Sequence, residues 1–250
     1  MDVVIAEDDC LLVSLFSNEI HKYRISGEYV NKIILLPYNV KVRSMYKLKK
    51  KNLIAYSDGE NKCISLCNSD GHVDKSIGKG ELKDPYGFDV DEEKNIVYVA
   101  DWQEDCVFMF DMDSDQMIKR IGSRGPSNGQ FRSPRDVTVT NKGDLIVVDL
   151  GNHRLQLFNN QGRFINVLVG KGDEDGKVNC PYSVKTDDDN NMLVTSFHKL
   201  QLFNSDGHFI KRIDQTRDEL KFPYGFSIDN NIRRVAVANN SGGNIKVFNY

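Results

Sequence analysis

Phenylalanine recurs along this chain at an almost fixed interval. Phe110, Phe158, Phe203 and Phe248 are separated by 48, 45 and 45 residues, and each lies at the end of a short apolar run. Leu155-Gln156-Leu157-Phe158-Asn159 and Leu200-Gln201-Leu202-Phe203-Asn204 are identical in sequence. A unit that repeats with this period cannot bury its apolar faces alone and must stack on its neighbours, so the period decides the fold class before any single residue does.

The unit is clearest from Gly129 to Phe164. Its β-rich runs are separated by Asn141-Lys142-Gly143-Asp144 and Asn159-Asn160-Gln161-Gly162. These are hairpin-type connections in which Gly or Asn can take φ > 0. A fourth run, Phe164 to Val169, follows the second turn. Four antiparallel strands in about 45 residues make one propeller blade. Related blades open at Pro85-Tyr86-Gly87, Pro181-Tyr182-Ser183 and Pro223-Tyr224-Gly225, and a more divergent one at Pro37-Tyr38-Asn39.

The spacing predicts an all-β, six-bladed propeller in one domain, with blades at about 2–36, 37–78, 79–122, 123–170, 171–214 and 215–250. Five blades read as four strands. The sixth reads as three, ending at Tyr250. Its missing strand is expected to be the outermost, which leaves an exposed edge. We therefore expect the sequence to be part of a larger protein.

Composition narrows the class. A chain of 250 residues that is 40% hydrophobic can bury a sizeable core. No apolar run approaches the roughly 20 residues of a membrane helix, and no membrane partner is expected. Met1 to Asp9 lacks the basic opening of a secretory signal. The cysteine count, five, is odd. Cys63 and Cys67 fall in one strand, roughly 13 Å apart, too far to bridge. Reduced thiols and a cytoplasmic location are expected. No metal spacing and no cofactor motif is present. A net charge of −3 argues against indiscriminate nucleic-acid binding, duplex DNA included. The domain is expected to be monomeric.

The fourth unit carries Gly129-Gln130-Phe131, Pro134, a strand ending in Asp149, and Asn152-His153-Arg154. This arrangement resembles the NHL repeat. The third unit keeps Pro-Tyr-Gly and Val97-Tyr98-Val99-Ala100-Asp101, but has Gln103-Glu104-Asp105-Cys106 where Asn-His-Arg would fall. The fifth keeps Phe197-His198-Lys199 loosely, and the first two match by period alone. Six-bladed NHL propellers close the tripartite-motif (TRIM-NHL) ubiquitin ligases. The resemblance implies a domain that recognises single-stranded RNA or a protein substrate, the ligase activity residing in a RING domain elsewhere.

Candidate site residues follow from the repeat. Connections between blades and the turns between second and third strands share one face, here the top. The residue after each opening proline enters the innermost strand from that face: Tyr38, Tyr86, Arg135, Tyr182 and Tyr224. Four aromatics and one arginine form either a platform for stacking bases or a cap on the core. Arg124, Arg132, Asn152, His153 and Arg154 join them from blade 4, where six Lys and Arg face three Asp and Glu between Ser123 and Gly170. Arg154 has a second reading, as a partner of Asp149. Acidic turns flank this sector at Asp101, Glu104 and Asp105 and at Asp173, Glu174 and Asp175. Trp102 is a candidate protein contact, and His198 lies on the same face. Single-stranded RNA is the first expectation and a protein substrate the second. Arg135 is expected to grip RNA, so that Arg135→Ala leaves the thermal midpoint nearly unchanged. A metal-dependent lyase or hydrolase is a weaker alternative. Of the five histidines, two, His153 and His198, are expected on the top face, short of the three ligands a catalytic zinc needs.

Overall fold

A computed structural model describes residues 1–6 and 9–250. Six antiparallel sheets surround an axis. Five have four strands and one has three, and each is laid down in sequence order. The innermost strands are Asp2–Ala6, Val42–Lys47, Pro85–Asp91, Pro134–Val139, Pro181–Thr186 and Pro223–Asp229. Blade 6 holds Pro223–Asp229, Arg234–Asn239 and Asn244–Asn249.

Burial explains why the strands read as they do. Second strands such as Leu145–Asp149 and Met192–Ser196 are buried throughout, because both sheet faces pack on neighbouring blades. Their sequences are accordingly continuous apolar runs rather than alternating ones. Outer strands such as Met117–Ile121 are mostly exposed. Between blades 4 and 5, Ile146 and Val148 pack with Val184 and Val194. Ala236 and Ala238 of blade 6 pack with Val3, Leu11 and Val13 of blade 1, closing the ring. The Gly-x-Phe element serves this packing: Phe131 is fully buried, with its ring 5.3 Å from that of Phe158.

One blade-opening residue is not where the repeat predicts it. The innermost strand of blade 2 begins at Val42, and Tyr38 stands in the preceding connection, almost wholly exposed. The residue that occupies the expected position is Arg43. The cause is register: Val42 pairs with Asp58, as Pro134 pairs with Asp149, and Pro37 therefore lies outside the strand.

Candidate functional site on the top face

The axial mouth is built from bulges. Pairing of the first two strands slips between Val42 and Ser44, Pro134 and Asp136, Pro181 and Ser183, and Pro223 and Phe226. In blade 3 it lies between Pro85 and Phe88, which pair with Asp101 and Val99. A bulge re-aims the side chain it contains. Arg43, Tyr86, Arg135, Tyr182 and Tyr224 lie within these slips. These five converge on the mouth.

They do not form an open platform. The Arg135 guanidinium lies 4.0 Å from the centre of the Tyr86 ring and 4.7 Å from that of Tyr224. Trp102 and Tyr182 complete the enclosure at 5.8 and 6.0 Å. Arg43 sits 4.2 Å from the Tyr86 ring centre and pairs with Asp84. Burial pushes the Arg135 guanidinium down from its ordinary value, yet the group stays charged. Trp102 is half-buried, 5.4 Å from Tyr86. The arginine expected to reach for phosphate is thus enclosed by rings, which are held in turn by its charge.

The Asn-His-Arg segment also faces inward. Leu150–Asn152 is a short 3-10 turn, and His153 ends it in the left-handed conformation at φ 55°. Asn152 Nδ2 donates to Asp149 and to the Gly125 carbonyl. Arg154 Nε donates to Asp149 Oδ2 at 2.8 Å, and its Nη2 to the carbonyls of Ser127 and Gln130. His153 Nδ1 accepts from the Cys180 N–H of blade 5 at 3.1 Å. These three side chains tie the loops of blade 4 to each other and to blade 5. Burial pushes the Asp149 carboxyl up, opposed by the N–H of Arg132, Asn152 and Arg154. The residue that ends the second strand has the same task elsewhere. Asp58 accepts from Lys41 N–H, Asp101 from Lys83 N–H and Asn239 from Lys221 N–H.

Arg124 and Arg132 are the exposed basic residues of this sector. With Gly125, Ser133 and Asp105 they line a cleft of about 290 Å³ between blades 3 and 4. Arg124 is 3.6 Å from Asp105, whose other oxygen accepts the Ser133 N–H.

The sequence pattern did not reveal an aromatic band that crosses blades 5, 6 and 1. Phe197 and Phe222 are 5.2 Å apart, Phe222 and Tyr182 6.3 Å, Tyr182 and Tyr224 4.9 Å, and Tyr224 and Phe16 6.2 Å. His198 rests on Phe197 at 4.0 Å, and its Nδ1 donates to the Leu220 carbonyl. Phe197 is exposed, and Phe16 and Phe222 are half-buried. The available signal was Phe222-Pro223-Tyr224, an aromatic on each side of a blade-opening proline. Phe16 and Phe197 follow strands of different blades and share no motif.

Below the mouth the axis is polar. Asp2 accepts the Met45 N–H, Asp89 accepts from Thr138 and Val139, and Asp136 accepts from Ser183 and Val184. Each carboxylate thereby joins its blade to the next. At the opposite face the axis opens into a cavity of about 750 Å³ whose walls include Met45, Asp89, Thr138, Lys185 and Phe226. Lys185 Nζ lies 3.9 Å from Asp89. Among the described residues, no three His, Cys, Asp or Glu converge as metal ligands.

Comparison with known proteins agrees with this architecture. The NHL repeat family model matches residues 131–158. The B-box type zinc finger protein ncl-1 of Caenorhabditis elegans is 44% identical over 45 residues, 18% of this chain and 5% of that protein. Mouse tripartite motif-containing protein 3 is 36% identical over 50 residues, 20% and 7%. The human E3 ubiquitin-protein ligase NHLRC1 is 28% identical over 118 residues, 47% and 28%. The matched segments thus span less than a third of these relatives. Among solved structures, a streptogramin B lyase superposes with a TM-score of 0.67 at 12% identity, covering 100% of this chain and 82% of that one. Virginiamycin B lyase from Staphylococcus aureus gives 0.66 at 11%, covering 100% and 83%. At such identity the likeness shows the fold alone.

Proposed function

We propose that this NHL-repeat propeller is the target-recognition domain of a longer protein of the TRIM-NHL ubiquitin-ligase type, and that its top face binds an extended protein segment. The observation that carries this reading is the aromatic band from Phe197 to Phe16. Its surroundings are of mixed sign, with Asp173, Glu174, Asp175 and Glu219 exposed beside Lys177 and Lys221. Rigid rings give contact area at small entropic cost. A rim of both signs suits a polypeptide better than a polyphosphate, which favours a continuous basic track. The five cysteines form no disulfide among the described residues, and a reducing, cytoplasmic setting belongs to this reading.

A second reading, single-stranded RNA, is favoured by the Arg124/Arg132 cleft, where a phosphate would meet two exposed guanidinium groups. The two readings separate experimentally. Peptides selected from a displayed random library on the wild type are expected to bind Phe197→Ala about tenfold more weakly. They should bind the Arg124→Ala/Arg132→Ala variant as tightly as the wild type. A randomised single-stranded RNA pool, titrated at fixed salt, should bind wild type no more tightly than the double arginine variant. RNA affinity that falls in the arginine variant, with no peptide enriched, would replace the first reading by the second.

A further inference from the structure

The six innermost strands put two rings of side chains around the axis, one residue from each blade. The upper ring is Asp2, Ser44, Gly87, Asp136, Ser183 and Gly225, so that Asp, Ser and Gly recur in the same order on opposite halves of the molecule. Its two carboxylates accept main-chain N–H groups of the next blade and crowd the two glycines. Two residues further along each strand, the lower ring is Val4, Tyr46, Asp89, Thr138, Lys185 and Ser227, and all six line the cavity at the face opposite the mouth. No residue type recurs in it. Equivalent places in a repeat that answer one packing requirement answer it alike, as the upper ring does; the lower ring does not.

Two groups of the lower ring are left over by the fold. Thr138 spends its hydroxyl on Asp89, and Tyr46 donates to Glu92. The Ser227 hydroxyl makes no hydrogen bond among the described residues. Lys185 Nζ makes none either, and stands 3.9 Å from Asp89. Burial lowers the Lys185 ammonium, but Asp89, Asp136 and Asp2 outweigh it, so the group stays charged.

These groups select the chemistry of a ligand. A simple anion on Lys185 would also face the Asp89 carboxylate, and a simple cation on Asp89 would face Lys185. Neighbouring hydroxyl groups of one molecule suit both, because each hydroxyl donates and accepts. The rim adds a second preference. Lys49 and Lys142, on the bottom turns of blades 2 and 4, line the same cavity, are exposed and form no ion pair among the described residues. Lys50 and Lys94 beside them are paired with Glu93 and Asp91. Lys49 follows Tyr46 by three residues, roughly 10 Å along an extended chain.

We propose that this axial well is a binding site for a small phosphorylated sugar, its hydroxyl groups on Asp89, Lys185 and Ser227 and its phosphate on Lys49 and Lys142. A volume of about 750 Å³ lies within the range of small-molecule sites. The well opens on the face opposite the aromatic band, so it stands independently of protein-segment binding there.

The test titrates glucose 6-phosphate and ribose 5-phosphate into the 250-residue protein, followed by calorimetry and amide NMR. Saturable binding of at least one is expected, with shifts at Lys185 and Ser227. Ser227→Ala should weaken it about tenfold at an unchanged melting temperature, since that hydroxyl has no partner in the fold. Lys49→Ala/Lys142→Ala should weaken it by a similar factor, again without loss of stability. Inorganic phosphate, which offers nothing to the lower ring, should bind at least tenfold less tightly than the sugar phosphate. Absence of saturable binding by both probes, or equal affinity in Ser227→Ala, would overturn the proposal. So would inorganic phosphate binding as tightly as either probe, or shifts confined to the Arg124/Arg132 cleft, which would place the phosphate on the top face.

Discussion

The Ser183 hydroxyl of blade 5 donates to the Asp136 carboxylate of blade 4 at 2.5 Å, in the buried centre of the molecule. The other Asp136 oxygen crowds Gly87 of blade 3, where a Cβ would come within 2.1 Å of it. One carboxylate thus sits where three blades meet. Gly225 stands in the same relation to Asp2, which explains the glycine after Pro-Tyr in blades 3 and 6.

Burial pushes the Asp136 carboxyl up to about 6, against the pull of Lys185 and Ser183. The folded protein therefore holds a proton that the unfolded chain, near 3.8, releases. Stability from this group is fully present below pH 3.8 and is lost as pH rises through 6. The loss is on the order of 3 kcal/mol at neutral pH. Carbon-13 NMR of the Asp136 carboxyl should show a midpoint near 6. A midpoint below 4 would contradict this account of the axis.

Arg135→Ala should destabilise the fold, because it empties a cage of four rings. Arg135 is half-buried, and a cation–π contact there is worth about 1–2 kcal/mol, so the loss should appear as a lower urea midpoint with an unchanged slope. This reverses the expectation, drawn from an exposed Arg135, that the midpoint would hardly move. Arg135→Lys should recover part of the loss, since the charge survives and the planar stack does not.

Asp149→Ala should cost more. It leaves Arg154 with a half-buried charge and no carboxylate, and removes the acceptor of the Arg132 N–H. Removing one partner of a buried pair costs about 3–5 kcal/mol. Arg154→Ala should resemble it in size. Denaturant titration of both variants is the check, and a change under 1 kcal/mol in either would refute the inward role of Arg154.

Thiol reagents should distinguish the cysteines. Cys10, Cys63, Cys67 and Cys106 are buried, and burial pushes the Cys67 and Cys106 thiols up to about 12. Cys180 is half-buried. In the native protein at pH 8, Cys180 should react first and the rest slowly, whereas the unfolded chain should expose all five. Mass mapping of the modified peptides gives the order.

The repeat period, the hairpin turns and the buried second strands were legible in the sequence, because they arise from local backbone chemistry and from a face pattern that each unit must repeat. The three-stranded sixth blade followed from the same count. Positions at the mouth were less legible. Proline marked the bulge in four blades, but in blade 2 pairing of Val42 with Asp58 decided it, so Arg43 rather than Tyr38 enters the ring. Sequence could place Arg135 and Arg154 on the top face. It could not tell whether they point outward. Arg135 is enclosed by rings from blades 3, 5 and 6, and Arg154 is drawn in by Asp149 and two carbonyls. The band from Phe197 to Phe16 likewise exists because ring closure brings blade 6 against blade 1. Contacts between residues about 200 positions apart carry no local signal, and closure of the propeller alone creates them.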